Sequence, residues 1–277
     1  MSPTVAQALA QAQAAGLERF EAHWLLAHLL QRDRSWLLTH GDDPLPPALA
    51  QAYTAGCARR AQGEPLAYVI GHQEFHGLRL QVTPDVLVPR PDTETLVDWA
   101  LQCLPALGAA PQVIDLGTGS GAVALALAHR YPAASVWATD LSPAALAVAQ
   151  ANARALGLPV QFRPGAWWQA APAGQRFDMA VSNPPYIAGD DPHLPALAHE
   201  PLMALTPGGD GLDAVRALIQ GAPEHLRPGG WLLLEHGWDQ GPAVRQLFEQ
   251  AGWQQVCTRQ DIAQRDRCTG ACWPGPV

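Results

Sequence analysis

Four consecutive residues, Asn183-Pro184-Pro185-Tyr186, carry the sharpest chemical signal in the chain. Adjacent prolines fix φ near −65° and push the residues before them toward extended backbone. So stiff a turn holds two acceptors at a set separation, the Asn183 side-chain carbonyl and the Pro184 main-chain carbonyl. Two acceptors converging on one point suit a planar –NH2 whose hydrogens must both be held, with Tyr186 covering one face of it. An amide or aromatic amine nitrogen is a poor nucleophile because its lone pair is delocalised. As it attacks an electrophilic carbon, positive charge builds on nitrogen and its N–H groups become better donors. Fixed acceptors therefore bind the transition state more tightly than the ground state. No ionisable base is required before attack, since the proton can leave afterwards to water.

The second signal lies upstream. Val113-Ile114-Asp115-Leu116 reads as a strand running into Gly117-Thr118-Gly119-Ser120-Gly121, and Ala122–Arg130 continues as a helix. Glycines permit positive φ and let a ligand approach the backbone with no Cβ in the way. Asp140 follows Gly121 by 19 residues, and a carboxylate there can accept both hydroxyls of a ribose. A dinucleotide fingerprint is G-x-G-x-x-G with a pyrophosphate on the helix dipole. The spacing here is G-x-G-x-G, preceded by the acidic Asp115. An acidic residue ahead of the loop suits a cofactor with a cationic amino-acid tail, which points to S-adenosylmethionine and a methyl on sulfonium sulfur as the electrophile.

Elements of two kinds must position these motifs. Residues 1–70 read as a helical bundle. Val5, Leu9 and Ala12 recur at helical spacing, Phe20, Trp24, Leu25, Ala27, His28 and Leu29 form a wide apolar face, and Ala48–Ala61 follows the Pro44–Pro47 breaker. Residues 71–91 read as a linker in which Gln73–Val82 alternate around Gly77 like a hairpin. Residues 92–277 alternate helices with the apolar runs Gln112–Leu116, Ser135–Thr139, Pro159–Arg163, Phe177–Val181 and Trp231–Glu235. Strands spaced by helices imply an α/β fold with a mainly parallel sheet, helices on both faces and ligands at the carboxyl ends of the strands. A bundle of ~70 residues has a modest core and is expected to dock on the rest of the chain or on a protein partner.

Composition bounds the partners. The chain has 277 residues, with 17 Lys plus Arg against 25 Asp plus Glu for a net charge of −8; every cation is Arg. That balance argues against a general nucleic-acid coat, which needs a basic surface to displace counterions. No stretch approaches the roughly 18 apolar residues of a membrane span, and the first ten residues lack the charged and apolar regions of a signal peptide. The 5 cysteines are odd in number and scattered, as befits reduced thiols in cytosol. Cys268 and Cys272 have no second Cys or His pair near them in sequence, so no metal site is expected.

With both motifs placed, the chain resembles the HemK/PrmC family of glutamine methyltransferases acting on peptide-chain release factors. The resemblance covers almost the full length. It rests on Val88-Pro89-Arg90-Pro91-Asp92-Thr93-Glu94-Thr95, Asp115–Gly121, Asp140, Ser182–Ile187, Asp191-Pro192-His193-Leu194, Glu200-Pro201-Leu202 and Leu232–Gly237. The Asn-Pro-Pro-Tyr turn alone is shared with amine methyltransferases of DNA and RNA. The segment after Pro89-Arg90 separates release-factor enzymes from the related ribosomal-protein glutamine methyltransferases. The resemblance implies a class I (Rossmann-like) methyltransferase sheet behind an N-terminal helical bundle that serves substrate docking. It also implies S-adenosylmethionine as cofactor and, as substrate, the Gln of a Gly-Gly-Gln tripeptide on class-one release factors, in the cytoplasm.

Carried over residue by residue, Gly117, Thr118, Gly119, Ser120 and Gly121 line the cofactor, Asp140 holds its ribose, and Trp168 is a cofactor-side aromatic. Asn183, Pro184, Pro185 and Tyr186 bind the substrate Gln, with Asn183, Pro184 and Tyr186 catalytic and Asn183 also beside the cofactor. The family's usual acidic residue before the Trp168 position is replaced, in Ala166-Trp167-Trp168, and its C-terminal Arg-Asp-Tyr stretch reads Arg259-Gln260-Asp261-Ile262. Asp92 is a candidate helix cap, the loop with His193 and Glu200 a candidate substrate lid or contact, and Arg59, Arg60, Arg259, Arg265 and Arg267 either a solvated face or a contact for an acidic partner. The rival readings are a ribosomal-protein glutamine methyltransferase, an adenine amino-methyltransferase of nucleic acid, and a cofactor-binding scaffold without catalysis. The adenine enzyme needs a basic groove and base extrusion, and the net charge weighs against it.

Overall fold

The computed structural model describes residues 2–276, which divide into two compact units, one up to His72 and one from Gln73 onward. In the first unit five helices form the bundle: α1 (Val5–Ala14), α2 (Arg19–Leu30), α3 (Arg34–Thr39), α4 (Pro47–Ala61) and α5 (Leu66–Ile70). Local signals set their ends. Thr4 and Gln7 close a reciprocal capping box on α1, and Asp33 caps α3 through the Trp36 amide at 2.9 Å. Gly71, at φ +79°, stops α5 in the left-handed region. The bundle core holds Leu25, Leu26, Leu37, Leu45 and Tyr53, whose hydroxyl donates to the Ala22 carbonyl at 3.1 Å.

The second unit carries the hairpin β1 (His72–Phe75) and β2 (Leu78–Gln81), then α6 (Glu94–Cys103), β3 (Gln112–Leu116), α7 (Ala122–Arg130), β4 (Ser135–Asp140), α8 (Pro143–Leu156) and β5 (Val160–Pro164). There follow β6 (Phe177–Ser182), α9 (Leu202–Leu205), α10 (Asp213–His225), β7 (Leu226–Glu235), α11 (Gly241–Gln250), β8 (Gln254–Gln260) and β9 (Asp266–Cys272). The hairpin, expected as a linker, is tied to the catalytic unit: Asn152 of α8 accepts the Gln81 amide at 2.7 Å and donates to the Gln81 carbonyl at 3.0 Å.

Seven strands form one sheet in the order β5-β4-β3-β6-β7-β9-β8, parallel except for β9, which runs antiparallel to β7 and β8. Alternate residues supply two cores, as a pleat requires. Val113, Met179, Val181 and Leu233 face one layer with α6 and α7; Ile114, Ala180, Leu232 and Leu234 face the other with α10 and α11. Register then places the chemistry. Asp115 pairs with Val181 and Leu116 with Thr139, so the chain leaves β3, β4 and β6 at one level. Strand order reverses between β3 and β6, the switch point where open α/β sheets bind ligands.

Candidate active site

The glycine loop is held by its own backbone and by two carboxylates. Gly117 and Thr118 both donate their amides to the Thr139 carbonyl, at 2.9 and 2.8 Å, which folds the loop over the end of β4. Asp140 accepts the Gly119 amide on Oδ2 and the Ser142 amide on Oδ1, both at 2.8 Å. Each of its oxygens keeps a further lone pair for a ligand hydroxyl. Asp115 is buried and accepts from the Thr118 hydroxyl at 2.6 Å and the Ala124 amide at 3.2 Å. Burial pushes its carboxyl up to about 7 against those two donors. Gly121 closes the loop at φ +86°, where a Cβ would sit 3.0 Å from Leu125 and 3.2 Å from Ala149. Asn152 donates to the Ser120 carbonyl at 2.9 Å, fastening the loop to α8 and the hairpin.

The aromatic that lines the glycine-loop cavity is Trp167, one position before the expected Trp168. Trp168 is buried in the α10–α11 core, where its indole N–H donates to the Leu218 carbonyl at 2.9 Å and its ring stacks on His225 at 5.0 Å. It does not line the cavity; Trp167 does, at φ +44° and with its ring 3.1 Å from where a Gly117 Cβ would stand. Both lie on one 3-10 turn, Trp167–Ala170. About three residues per turn send adjacent side chains some 120° apart, so only one of the pair can face the ligand.

The Asn-Pro-Pro-Tyr turn leaves β6 beside this loop. Ser182 donates its hydroxyl to the Leu116 carbonyl at 2.5 Å, locking the ends of β3 and β6 together. Asn183 donates through Nδ2 to the Thr93 hydroxyl at 3.2 Å. No donor among the described residues engages its Oδ1 or the Pro184 carbonyl. The Tyr186 carbonyl accepts from Gln240 at 2.9 Å, and its hydroxyl donates to buried Glu235 at 3.4 Å. Tyr186 thus reaches toward the end of β7 and does not line the glycine-loop cavity.

One cavity brings together Gly117, Thr118, Gly119, Ser120, Asp140, Asn183 and Pro185 from the expected set, with Thr93, Asp115 and Trp167 added. Gly121, Pro184, Tyr186 and Trp168 lie outside its lining. Glu200, a candidate lid residue, is instead a buried anchor that pairs with Arg90 and accepts the Val88 amide at 3.1 Å. Asp92 does not cap α6; it pairs with Arg267 at 3.2 Å, and Arg267 is buried between it and Asp261. Arg267 therefore belongs neither to a solvated face nor to a partner contact.

The lining indicates the class of ligand. Three carboxylates, Asp85, Asp115 and Asp140, line the cavity and no Lys or Arg does. A pyrophosphate would meet like charge there, whereas a sulfonium bearing an ammonium group meets opposite charge. Asp140 with its backbone donors suits a ribose, and the Trp167 ring with Leu141 supplies an apolar wall for a nucleobase. The residues present fit S-adenosylmethionine. Among the described residues no group of three His, Cys, Asp or Glu side chains is placed to hold a metal, and no helix is long and apolar enough to cross a membrane.

Comparison with known proteins agrees with that geometry. Residues 4–71 match the PrmC N-terminal domain and residues 113–209 a methyltransferase domain. A release factor glutamine methyltransferase of Xylella fastidiosa (strain Temecula1) is 54% identical over 97% of this chain and 98% of its own. One of Bordetella pertussis is 52% identical over 92% of this chain and 95% of its own. In fold, the chain is similar to the T. thermophilus 16S rRNA N2 G1207 methyltransferase in complex with AdoMet and guanosine. The TM-score is 0.55 at 22% identity, over 73% of this chain and 49% of that one.

Proposed function

The chain belongs to the HemK/PrmC family of release factor glutamine methyltransferases, and on that premise we propose that it methylates the side-chain amide of the Gly-Gly-Gln glutamine on class-one release factors in the cytoplasm. It is an S-adenosylmethionine-dependent protein methyltransferase. The observation that carries the substrate reading is the turn at the end of β6, whose Asn183 amide nitrogen is occupied by Thr93 while its carbonyl oxygen has no donor among the described residues.

The bound cofactor supplies an electrophilic methyl on sulfonium sulfur. In the proposed mechanism Asn183 Oδ1 and the Pro184 carbonyl accept the two N–H groups of the substrate carboxamide. They fix its plane and leave the nitrogen lone-pair direction free to face the methyl. As nitrogen turns cationic, both hydrogen bonds become charge-assisted and strengthen by several kcal/mol in a dry site. The extra proton then leaves to water, and no side chain acts as base. Asp140 holds the ribose hydroxyls, Gly117–Ser120 admit the cofactor against their backbone, and Asp115 offers negative charge to its cationic end. Tyr186 braces the turn from behind through its hydroxyl on Glu235 and does not cover the amide face. The bundle of residues 1–70 serves as a docking module for the release factor, in keeping with its match to a PrmC N-terminal domain.

The test offers cofactor labelled in its methyl group together with release factor, release factor carrying Gln→Ala in the tripeptide, a ribosomal protein or adenine-containing DNA. Label in the intact release factor alone is expected. Label in DNA or in the ribosomal protein, with none in release factor, refutes the proposal.

A further inference from the structure

Pro184 and Pro185 carry no amide hydrogen, so the Asn-Pro-Pro-Tyr turn has two fewer donors than an ordinary turn and depends on anchors from neighbouring elements. Ser182 and Asn183 fix its start, on the Leu116 carbonyl and the Thr93 hydroxyl. At its far end the Ile187 amide donates to the Leu205 carbonyl of α9 at 2.9 Å, and the Tyr186 carbonyl accepts from Gln240 Nε2 at 2.9 Å. Gln240 stands on the loop between β7 and α11, and its other end is taken as well: Oε1 accepts the Gly237 amide at 2.8 Å. One bond requires nitrogen and the other oxygen, so the carboxamide has a single orientation. The carbonyl it holds is seated on Gly211, where a Cβ would stand 2.3 Å from the Tyr186 oxygen and 3.0 Å from Gln240 Nε2. We propose that Gln240 is a positioning residue for methyl transfer: by holding the Tyr186 carbonyl, it sets where the Asn183 and Pro184 oxygens meet the substrate carboxamide. The inference rests on the gripping role assigned to those two oxygens above.

Gly237, in turn, is held by a run of hydrogen bonds whose direction is fixed at both ends. Its carbonyl can only accept, so the fully buried His236 donates to it from Nδ1 at 2.8 Å and keeps Nε2 as an acceptor. Thr269 lies 2.7 Å from Nε2 and 2.7 Å from the Thr258 hydroxyl, and Thr258 accepts from Arg245, a donor only, at 2.7 Å. Each hydroxyl therefore receives one hydrogen and gives one, from Arg245 through Thr258 and Thr269 to His236. Burial lowers the His236 pKa and keeps the ring neutral, as that direction requires. The Gly237 carbonyl also accepts the Gln240 amide at 3.0 Å. Loop 237–240 is thus a firm base for the Gln240 side chain. Pro185, with its φ fixed, stands between the Tyr186 and Pro184 carbonyls, so a displaced Tyr186 carries the Pro184 oxygen with it. A misplacement of about 1 Å at reacting groups costs on the order of 10²-fold in rate.

Methylation of release factor by the full chain tests this, with cofactor affinity measured by calorimetry on the same samples. Gln240→Met keeps the length of the side chain and removes both bonds. Its kcat should fall roughly 10-fold or more, with cofactor Kd changed less than about threefold. Gln240→Glu separates the two bonds, since a carboxylate can still accept the Gly237 amide but cannot donate to Tyr186; its kcat should fall at least as far. On an Asn183→Ala background Gln240→Met should lower kcat less than about threefold, because the two act on the same grip. If Gln240→Met does not fold, Gln240→Glu decides. Wild-type kcat in either variant, equal losses in kcat and cofactor affinity, or an undiminished loss on the Asn183→Ala background would overturn the inference while leaving the gripping role standing. An Asn183→Ala enzyme with unimpaired kcat overturns the grip and the inference together.

Discussion

Replacing Asn152 by Ala should weaken the catalytic unit well beyond the size of the side chain removed. Asn152 is 2% exposed and makes three hydrogen bonds, accepting the Gln81 amide at 2.7 Å and donating to the Gln81 and Ser120 carbonyls at 3.0 and 2.9 Å. Alanine fills none of these roles and leaves three backbone groups without their partner. At about 1–1.5 kcal/mol for each, the loss is roughly 3–4 kcal/mol, on the scale of the 5–15 kcal/mol that typically stabilises a folded protein. Urea denaturation measures the total, and amide exchange at Gln81 measures the local effect, since that N–H loses its acceptor. The Ser120 carbonyl sits in the glycine loop, so cofactor affinity should fall as well. A loss below about 1 kcal/mol, with Gln81 exchange unchanged, would show that the hairpin and loop are held by something else.

The two tryptophans of Ala166-Trp167-Trp168 should separate cleanly. Trp167→Ala is expected to weaken cofactor binding roughly tenfold (about 1.4 kcal/mol) with little change in urea midpoint, whereas Trp168→Ala should cost about 3–5 kcal/mol of stability. Calorimetry and denaturation on both variants check this. Gly211 lies at φ +80° with its Cβ position 2.3 Å from the Tyr186 carbonyl, so Gly211→Ala must displace the turn. Its kcat should drop on the order of 100-fold with cofactor Kd held, as single-turnover kinetics would show. Asp115 has its folded pKa raised from 3.8 to about 7, so the folded state binds the proton more tightly than the unfolded one. Its favourable contribution is complete below pH 4 and is lost as pH rises through about 7. Relative to Asp115→Asn, wild-type stability should therefore decline between about pH 4 and 7 in denaturation series; a constant difference would refute that environment.

The legible parts of the molecule were those coded by neighbours in sequence. The glycine loop and the Asn-Pro-Pro-Tyr turn are contiguous, and the apolar runs before them mark β3 and β6 because strands buried on both faces need unbroken hydrophobic residues. Alternation around Gly77 likewise marks the hairpin, which the structure realises as β1 and β2. What escaped depends on distance or on handedness. Asn152 reads as an ordinary polar position of α8, and its partners lie 71 and 32 residues away. Sequence offset cannot say which of two adjacent side chains on a tight turn faces a cavity; in the structure Trp167 lines it and Trp168 is buried against α10. Strands β8 and β9 went unread because Gln254-Gln255-Val256-Cys257-Thr258-Arg259 and Asp266-Arg267-Cys268-Thr269 mix polar and charged residues. Their pairing is antiparallel at one end of the sheet, where β8 is largely solvent-facing.

One kinetic comparison bears most directly on the gripping of an uncharged carboxamide by Asn183 and Pro184: methyl transfer to release factor by wild type and by Asn183→Ala, with cofactor affinity measured on the same samples. The expected result is a loss in kcat of roughly 10²–10³, or about 3–4 kcal/mol, with cofactor Kd changed only a few-fold. Equal losses in kcat and in cofactor affinity, or an unimpaired kcat, would contradict it.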